Sequence, residues 1–332
     1  MIFSHLLSAF GLRPRQREQK PLSEQEQALL NIKFFGYELA RSLAAALPVR
    51  RDLTPAPVNL TCKPSTQRDL EADWVAYWAG QIDIPVVFHR KIWELCYVLQ
   101  ALWERGCLEP GRRGLGFGCG REPIASHLAA RGVQVTATDL SPQDAKARGW
   151  IDTTQHAGSA DYLHYENLCA RPEFDRLVSW RGVDMNAIPA DLRDYDFCWS
   201  VCAFEHLGSI ENGLKFVENA MAVLKPGGVA VHTTEFNFLY DRDTLAKGAT
   251  VLFLRRHFEA LRERLLAAGH EVEILDFDVG DKPMDKFIDV PPYPVGDRAH
   301  LLHTWPDSHH IKAMCQGFPT TCYGLIARRG GA

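Results

Sequence analysis

The chain has 332 residues, 46% of them hydrophobic and 23% charged, with a formal net charge of −4. These proportions are those of an ordinary globular protein, and they lack the basic excess of a nucleic-acid binder. Nine cysteines are scattered with no Cys-x-x-Cys pair, which argues for reduced thiols in a cytoplasm over a disulfide framework; no apolar run reaches membrane-spanning length.

Residues 1–20 place Ile2, Phe3, Leu6, Leu7, Phe10 and Leu12 ahead of Arg13, Arg15, Arg17 and Lys20. A signal peptide has the opposite order. Two readings stand: a short amphipathic helix touching a membrane surface or a partner, or an end that packs on its own domain or frays. A helix is predicted over 24–47, with Ser23 as N-cap and Glu26 completing a capping box. The proline- and threonine-rich stretch 48–68 reads as a loop. Helices follow over 69–79 and 85–106, with Trp93, Cys96, Tyr97, Leu99 and Leu102 facing inward; Trp93 and Tyr97 alternatively form a lid over the site. These elements make up an N-terminal helical extension and lid, 1–110.

From 111 onward strands and helices alternate, which implies a parallel sheet. Strands are predicted at 113–118, 133–138, 177–184, 195–201, 228–236, 271–278 and 320–328. Helices lie between them at Pro123–Arg131, Ser209–Leu224 and 250–268, the last closed by Gly269. Residues 141–175 are long for a crossover, and 279–319 are too long for a hairpin loop. That late segment, read as a substrate-side insertion, carries Trp305 and the histidines His300, His303, His309 and His310. Their spacing is not that of a zinc site, so no metal is expected from them.

The first strand runs into a glycine-rich turn, Gly116-Phe117-Gly118-Cys119-Gly120-Arg121-Glu122-Pro123, and the second ends at Asp139-Leu140. Glycines let a ligand approach the backbone, and an acid at the end of the next strand accepts ribose hydroxyls. Together they predict a nucleoside cofactor. A dinucleotide would need Gly-x-Gly-x-x-Gly, but the last position falls at Arg121 or Pro123 according to register. Glu122 would also repel a pyrophosphate, whereas a cofactor with a positive amino group and sulfonium tolerates it. Glu122 and Pro123 equally suit a plain helix start. Cys119 reads as a small residue that fits the turn.

The turn resembles that of the class I S-adenosylmethionine-dependent methyltransferases, whose pattern is acidic-x-Gly-x-Gly-x-Gly. Gly118 and Gly120 match its central glycines; Gly116 replaces the leading acid and Glu122 the last glycine. The likeness extends to Val183-Asp184-Met185, to Tyr195–His206 and to Leu224-Lys225-Pro226-Gly227-Gly228. It implies a Rossmann-like three-layer α/β sandwich with a seven-stranded, mostly parallel sheet and an antiparallel last strand. S-adenosylmethionine would be the cofactor, held by Gly116, Gly118, Gly120, Glu122, Asp139, Leu140, Asp184, Met185 and Ser200.

Methyl transfer is an in-line displacement that needs positioning and a dry site, plus a base where the acceptor is a hydroxyl. His206 follows the fourth strand directly, at the sheet's carboxyl edge, and is the candidate base; packing against the next helix is the alternative. Strand alternation puts Glu235 and Asn237 near the end of the fifth strand as candidate acceptor contacts, with Glu235 a second catalytic candidate, and leaves His232 in the core. The expected activity is transfer to a small molecule or glycan, on oxygen. The rival expectation is a cofactor-binding scaffold or partner protein without activity.

Overall fold

The computed structural model describes residues 23–147, 156–291 and 309–331. The amphipathic stretch 1–20 and the segment carrying His300, His303 and Trp305 lie outside the described residues. The helices are α1 (Glu24–Ala45), α2 (Gln67–Leu70), α3 (Asp73–Gln81), α4 (Arg90–Glu104), α5 (Ile124–Ala130), α6 (Pro142–Ala147), α7 (Arg171–Leu177), α8 (Ile210–Ala220), α9 (Arg255–Ala267) and α10 (Pro283–Lys286). The strands are β1 (Lys63–Pro64), β2 (Arg113–Phe117), β3 (Gln134–Asp139), β4 (Val178–Gly182), β5 (Tyr195–Val201), β6 (Leu224–Asn237), β7 (Glu271–Val272), β8 (Ile288–Asp289), β9 (Lys312–Cys315) and β10 (Phe318–Arg328).

Five strands run parallel in the order β4-β3-β2-β5-β6, and β10 adds antiparallel to β6. This is the Rossmann-like α/β sheet expected from the sequence, with successive strands added on one side of β2 as far as β4 and on its other side from β5. Side chains alternate along β6. Thr233 and Glu235 meet α4 through Glu94 and Arg90, while His232 meets Phe204 and Phe216 on the other face. The sheet is thus the middle of three layers.

The described sheet has ten strands rather than seven. The expected sixth strand, 271–278, is reduced to β7 because another segment takes its place on β10. Lys63 and Pro64 pair with Gly324 and Tyr323, and residues 274–276 pair with Cys62 instead. Farther along the same edge, β9 joins β10 through a two-residue turn at Gln316 and Gly317, both at positive φ, the geometry that matches strand twist. The late segment therefore contributes β8 and β9 to the sheet. The helix predicted from 250 starts only at Arg255; Val251–Leu254 are buried and bridge to β6 through Phe253.

α1 begins at the capping box expected, with Ser23 Oγ accepting from the Glu26 amide and Glu26 accepting from the Ser23 amide. α4 lies in the main core and packs on β5, β6 and β10. Trp93 and Tyr97 are fully buried and stacked at 4.7 Å, and Trp93 Nε1 donates to Asp69. They support the sheet and do not cover the site. Among the described residues no helix is long and apolar enough to cross a membrane.

Candidate active site

A cavity of about 980 Å³ opens over the carboxyl ends of the parallel strands. Gly118, Gly120, Glu122, Asp139, Leu140, Asp184, Met185, His206 and Glu235 all line it. Gly116 and Ser200 do not. Gly116 lies inside β2, where a Cβ would collide with Cys119 Sγ and Trp199. Ser200 is buried within β5 and its hydroxyl bonds His232 Nδ1 at 2.8 Å. Asn237 is also buried, holding the loop at Asp243 and Tyr240.

The turn after β2 presents bare backbone. Gly118 and Gly120 have φ of +56° and +53°, a region where a side chain is strained. A Cβ on Gly118 would also approach Ala203 Cβ to 2.8 Å. The Asp139 carboxylate ties the turn to β3, accepting from the amides of Gly120 (3.2 Å), Leu140 (2.8 Å) and Ala157 (3.1 Å). A carboxylate has about four lone-pair sites, so capacity remains for a ribose hydroxyl. Burial raises the Asp139 pKa, and these amides oppose the shift.

Glu122 sits between the turn and α4. Its Oε2 is buried with no hydrogen-bond partner among the described residues. Burial holds this carboxyl well above the usual carboxylate range, with Lys91 opposing. Such an orphaned acid fits a cationic ligand group, which would supply the missing donor and charge. The residues present therefore fit S-adenosylmethionine: one cavity holds a carboxylate with acceptor capacity to spare and an acid whose Oε2 lacks a hydrogen-bond partner among the described residues.

The opposite wall comes from α4, β6, β10 and the residues before β9; sequence reasoning named Glu235 and His310 but not Arg90, His89 or Thr320. Arg90 pairs with both oxygens of Glu235 at 2.6 and 2.7 Å, and Thr320 Oγ1 donates to the same carboxylate at 2.6 Å. His310 bonds Asp289 through Nδ1 at 2.7 Å and packs against His89 at 5.1 Å. Burial keeps His89 well below the imidazole range, and His310 below it too despite Asp289. His206 has its Nδ1 2.8 Å from the Ala249 carbonyl, which assigns that nitrogen as donor and leaves Nε2 as the proton acceptor. Nε2 is 3.8 Å from Glu205, a buried carboxyl raised by burial and opposed by His206.

Glycine turn, acid-tipped second strand and cleft over the strand ends define a nucleoside-cofactor enzyme of the Rossmann-like class. The profile of the methyltransferase-domain family matches residues 88–316. The chain belongs to that family and is an S-adenosylmethionine-dependent methyltransferase. Among solved structures, magnesium protoporphyrin IX methyltransferase from Synechocystis PCC 6803, with bound S-adenosylmethionine, is similar at 12% identity and a TM-score of 0.38, over 93% of this chain and 99% of that one. The cyclase SpnF is similar at 16% identity and a TM-score of 0.42, over 82% and 98%. The CcbJ methyltransferase from Streptomyces caelestis is similar at 14% identity and a TM-score of 0.38, over 70% and 94%. No curated protein matches the chain.

Proposed function

We propose that the protein methylates a hydroxyl of a small molecule or glycan, with His206 as the base. When bound, S-adenosylmethionine supplies a methyl group activated on its sulfonium. Gly118, Gly120, Asp139, Leu140, Asp184 and Met185 would bind and orient it at the strand ends, and Glu122 would offset its positive charge. His206 Nε2 would take the acceptor hydroxyl's proton as that oxygen receives the methyl group. Glu235 serves as a positioning residue rather than a second base, because its oxygens are already engaged by Arg90 and Thr320. The start of α4 closes the acceptor side, with Arg90, Lys91 and Glu94 on the cavity.

The observation that carries this reading is His206, with Nδ1 2.8 Å from the Ala249 carbonyl, on the same cavity as the glycine turn and Asp139. The size of the cavity leaves room for an acceptor beside the cofactor. The nine thiols favour a cytoplasmic location. The test is transfer of labelled methyl from S-adenosylmethionine to hydroxyl-bearing small molecules and saccharides, with S-adenosylhomocysteine counted in parallel. Label found only on amines, thiols or protein would overturn the oxygen assignment.

A further inference from the structure

We propose that Cys202, Cys322 and Glu94 form a site for one zinc-class divalent cation in the inner wall of the cleft. The inference is independent of the methyl acceptor and of His206. The three residues come from different elements: Cys202 follows β5, Cys322 lies on β10 and Glu94 on α4. Their ligand atoms all lie within 4.8 Å of one another.

The spacing suits a shared metal. The two Sγ atoms are 3.6 Å apart. A tetrahedral ion with metal–sulfur bonds of about 2.3 Å sets two sulfurs roughly 3.8 Å apart. A disulfide would need them at about 2.05 Å, and Cys202 is poorly placed to move. Its backbone is left-handed at φ +45°, and its amide is held by the carbonyl and the hydroxyl of Thr233, both at 3.1 Å.

Glu94 carries the second, independent observation. Its side chain is fully buried, and Oε2 accepts from Thr233 Oγ1 at 2.6 Å. Oε1 meets no full hydrogen-bond geometry among the described residues; the Lys91 ammonium lies 3.6 Å away, and the Cys202 and Cys322 thiols turn toward the carboxylate and help keep it charged. One oxygen is thus oriented by an outer partner, the usual arrangement behind a metal ligand, while the other is left for an ion. Two sulfurs and one carboxylate select a borderline ion such as zinc over magnesium or calcium, which take oxygen ligands. Glu94 and Cys202 both line the cavity, so water can fill the fourth position.

The charges also balance. Binding releases the two thiol protons to solvent, and the cation's two charges offset the two thiolates. Glu94 stays offset by Lys91, and Glu235 by Arg90. Glu94 and Glu235 thus keep their cationic partners with or without the ion.

The test uses the full-length, reduced, metal-stripped protein without cofactor or acceptor. Zinc chloride is titrated under equilibrium dialysis, and cobalt(II) is substituted to look for sulfur-to-cobalt charge-transfer absorption. One zinc per chain and a thiolate–cobalt band are expected. Cys202→Ser and Cys322→Ser should weaken binding by more than the ~10–100-fold that a lost outer partner costs, and Thr233→Val by about that amount. Cys315→Ser, on the same cavity but outside the cluster, should leave it unchanged. Should the serine variants not fold, mass-spectrometric mapping of wild-type thiol alkylation replaces them: zinc must protect Cys202 and Cys322 and not Cys315. Absence of zinc binding, undiminished binding in the serine variants, or protection of other cysteines would overturn the site.

Discussion

Lys33 and Asp289, 256 positions apart, form an ion pair with neither side chain exposed. Asp289 also accepts from Tyr37 (2.8 Å), the Val290 amide (2.9 Å) and His310 (2.7 Å). Burial alone would raise Asp289, but His310 and Lys33 outweigh it and hold the carboxyl below its ordinary value. The pair therefore joins α1 to β8 and, through His310, to the wall of the cleft. Asp289→Asn should cost about 3–5 kcal/mol, because removing one partner leaves a buried charge uncompensated. Urea unfolding measures this. The double variant Lys33→Met, Asp289→Asn should recover part of the loss, because it removes the unpaired ammonium and keeps an acceptor oxygen for Tyr37 or His310; a single variant as stable as the parent would show that the pair contributes nothing.

Asp139→Ala should weaken S-adenosylhomocysteine binding about tenfold or more, through loss of charge-assisted hydrogen bonds to ribose. It also releases the Gly120 amide that the carboxylate holds, so the turn loosens as well. Asp139→Asn keeps an acceptor for the amides and should lose less. Calorimetry on both variants separates the contributions, and equal affinity in Asp139→Ala and the parent would remove this residue from the cofactor site.

Glu122 should give cofactor binding a pH dependence. Its carboxyl is raised by burial in the free protein, and a cationic ligand group would lower it again. Binding then releases a proton, so affinity should rise as pH rises through the raised value. In Glu122→Gln this dependence should disappear, together with part of the affinity. If Glu122 only starts the helix, the variant will instead bind normally and lose about 0.3–1 kcal/mol of stability.

The parallel half of the sheet was legible because its signals are local. The glycine turn, Asp139 and the Lys225-Pro226-Gly227-Gly228 turn each mark the end or start of one strand. The β10 edge was not legible, since β1, β7 and β9 compete for it with pairings of only a few residues. Val251–Leu254 are apolar without a period, and only their pairing to β6 makes them extended. The α4 wall was missed for a related reason. A buried Glu94 contradicts the helix's apolar stripe until Thr233, 139 positions later, meets it. No spacing within α4 announces that partner.

His232 should make the fold acid-sensitive. Burial pushes its imidazole down to about 3, against about 6.5 when unfolded. Between those values the unfolded chain binds more protons, so this contribution is complete above pH 6.5 and is lost as pH falls toward 3. It amounts to something on the order of 3–5 kcal/mol. Glu122 and Glu205, raised by burial, act in the opposite sense, so the comparison must be between variant and parent. His232→Gln should lose less stability than the parent between pH 7 and pH 4.5 in urea titrations. Parallel losses would show that His232 does not titrate on unfolding.

His206 is where the chemical step can be tested apart from binding. His206→Ala should lower kcat by about 10²–10⁴-fold, the ordinary contribution of a positioned base, while S-adenosylhomocysteine affinity stays within about twofold of the parent. The affinity is spared because the glycine turn and Asp139 are held by contacts of their own, Asp139 by the amides of Gly120, Leu140 and Ala157. Added imidazole should restore part of the turnover, which a purely structural defect would not allow. His206→Asn tests the tautomer, since its amide can still donate toward the Ala249 carbonyl but cannot take a proton; it should fold like the parent and stay inactive. Full turnover in either variant would remove His206 from the mechanism. The proton would then pass to His310, whose Nδ1 is fixed on Asp289 and whose ring faces the same cavity.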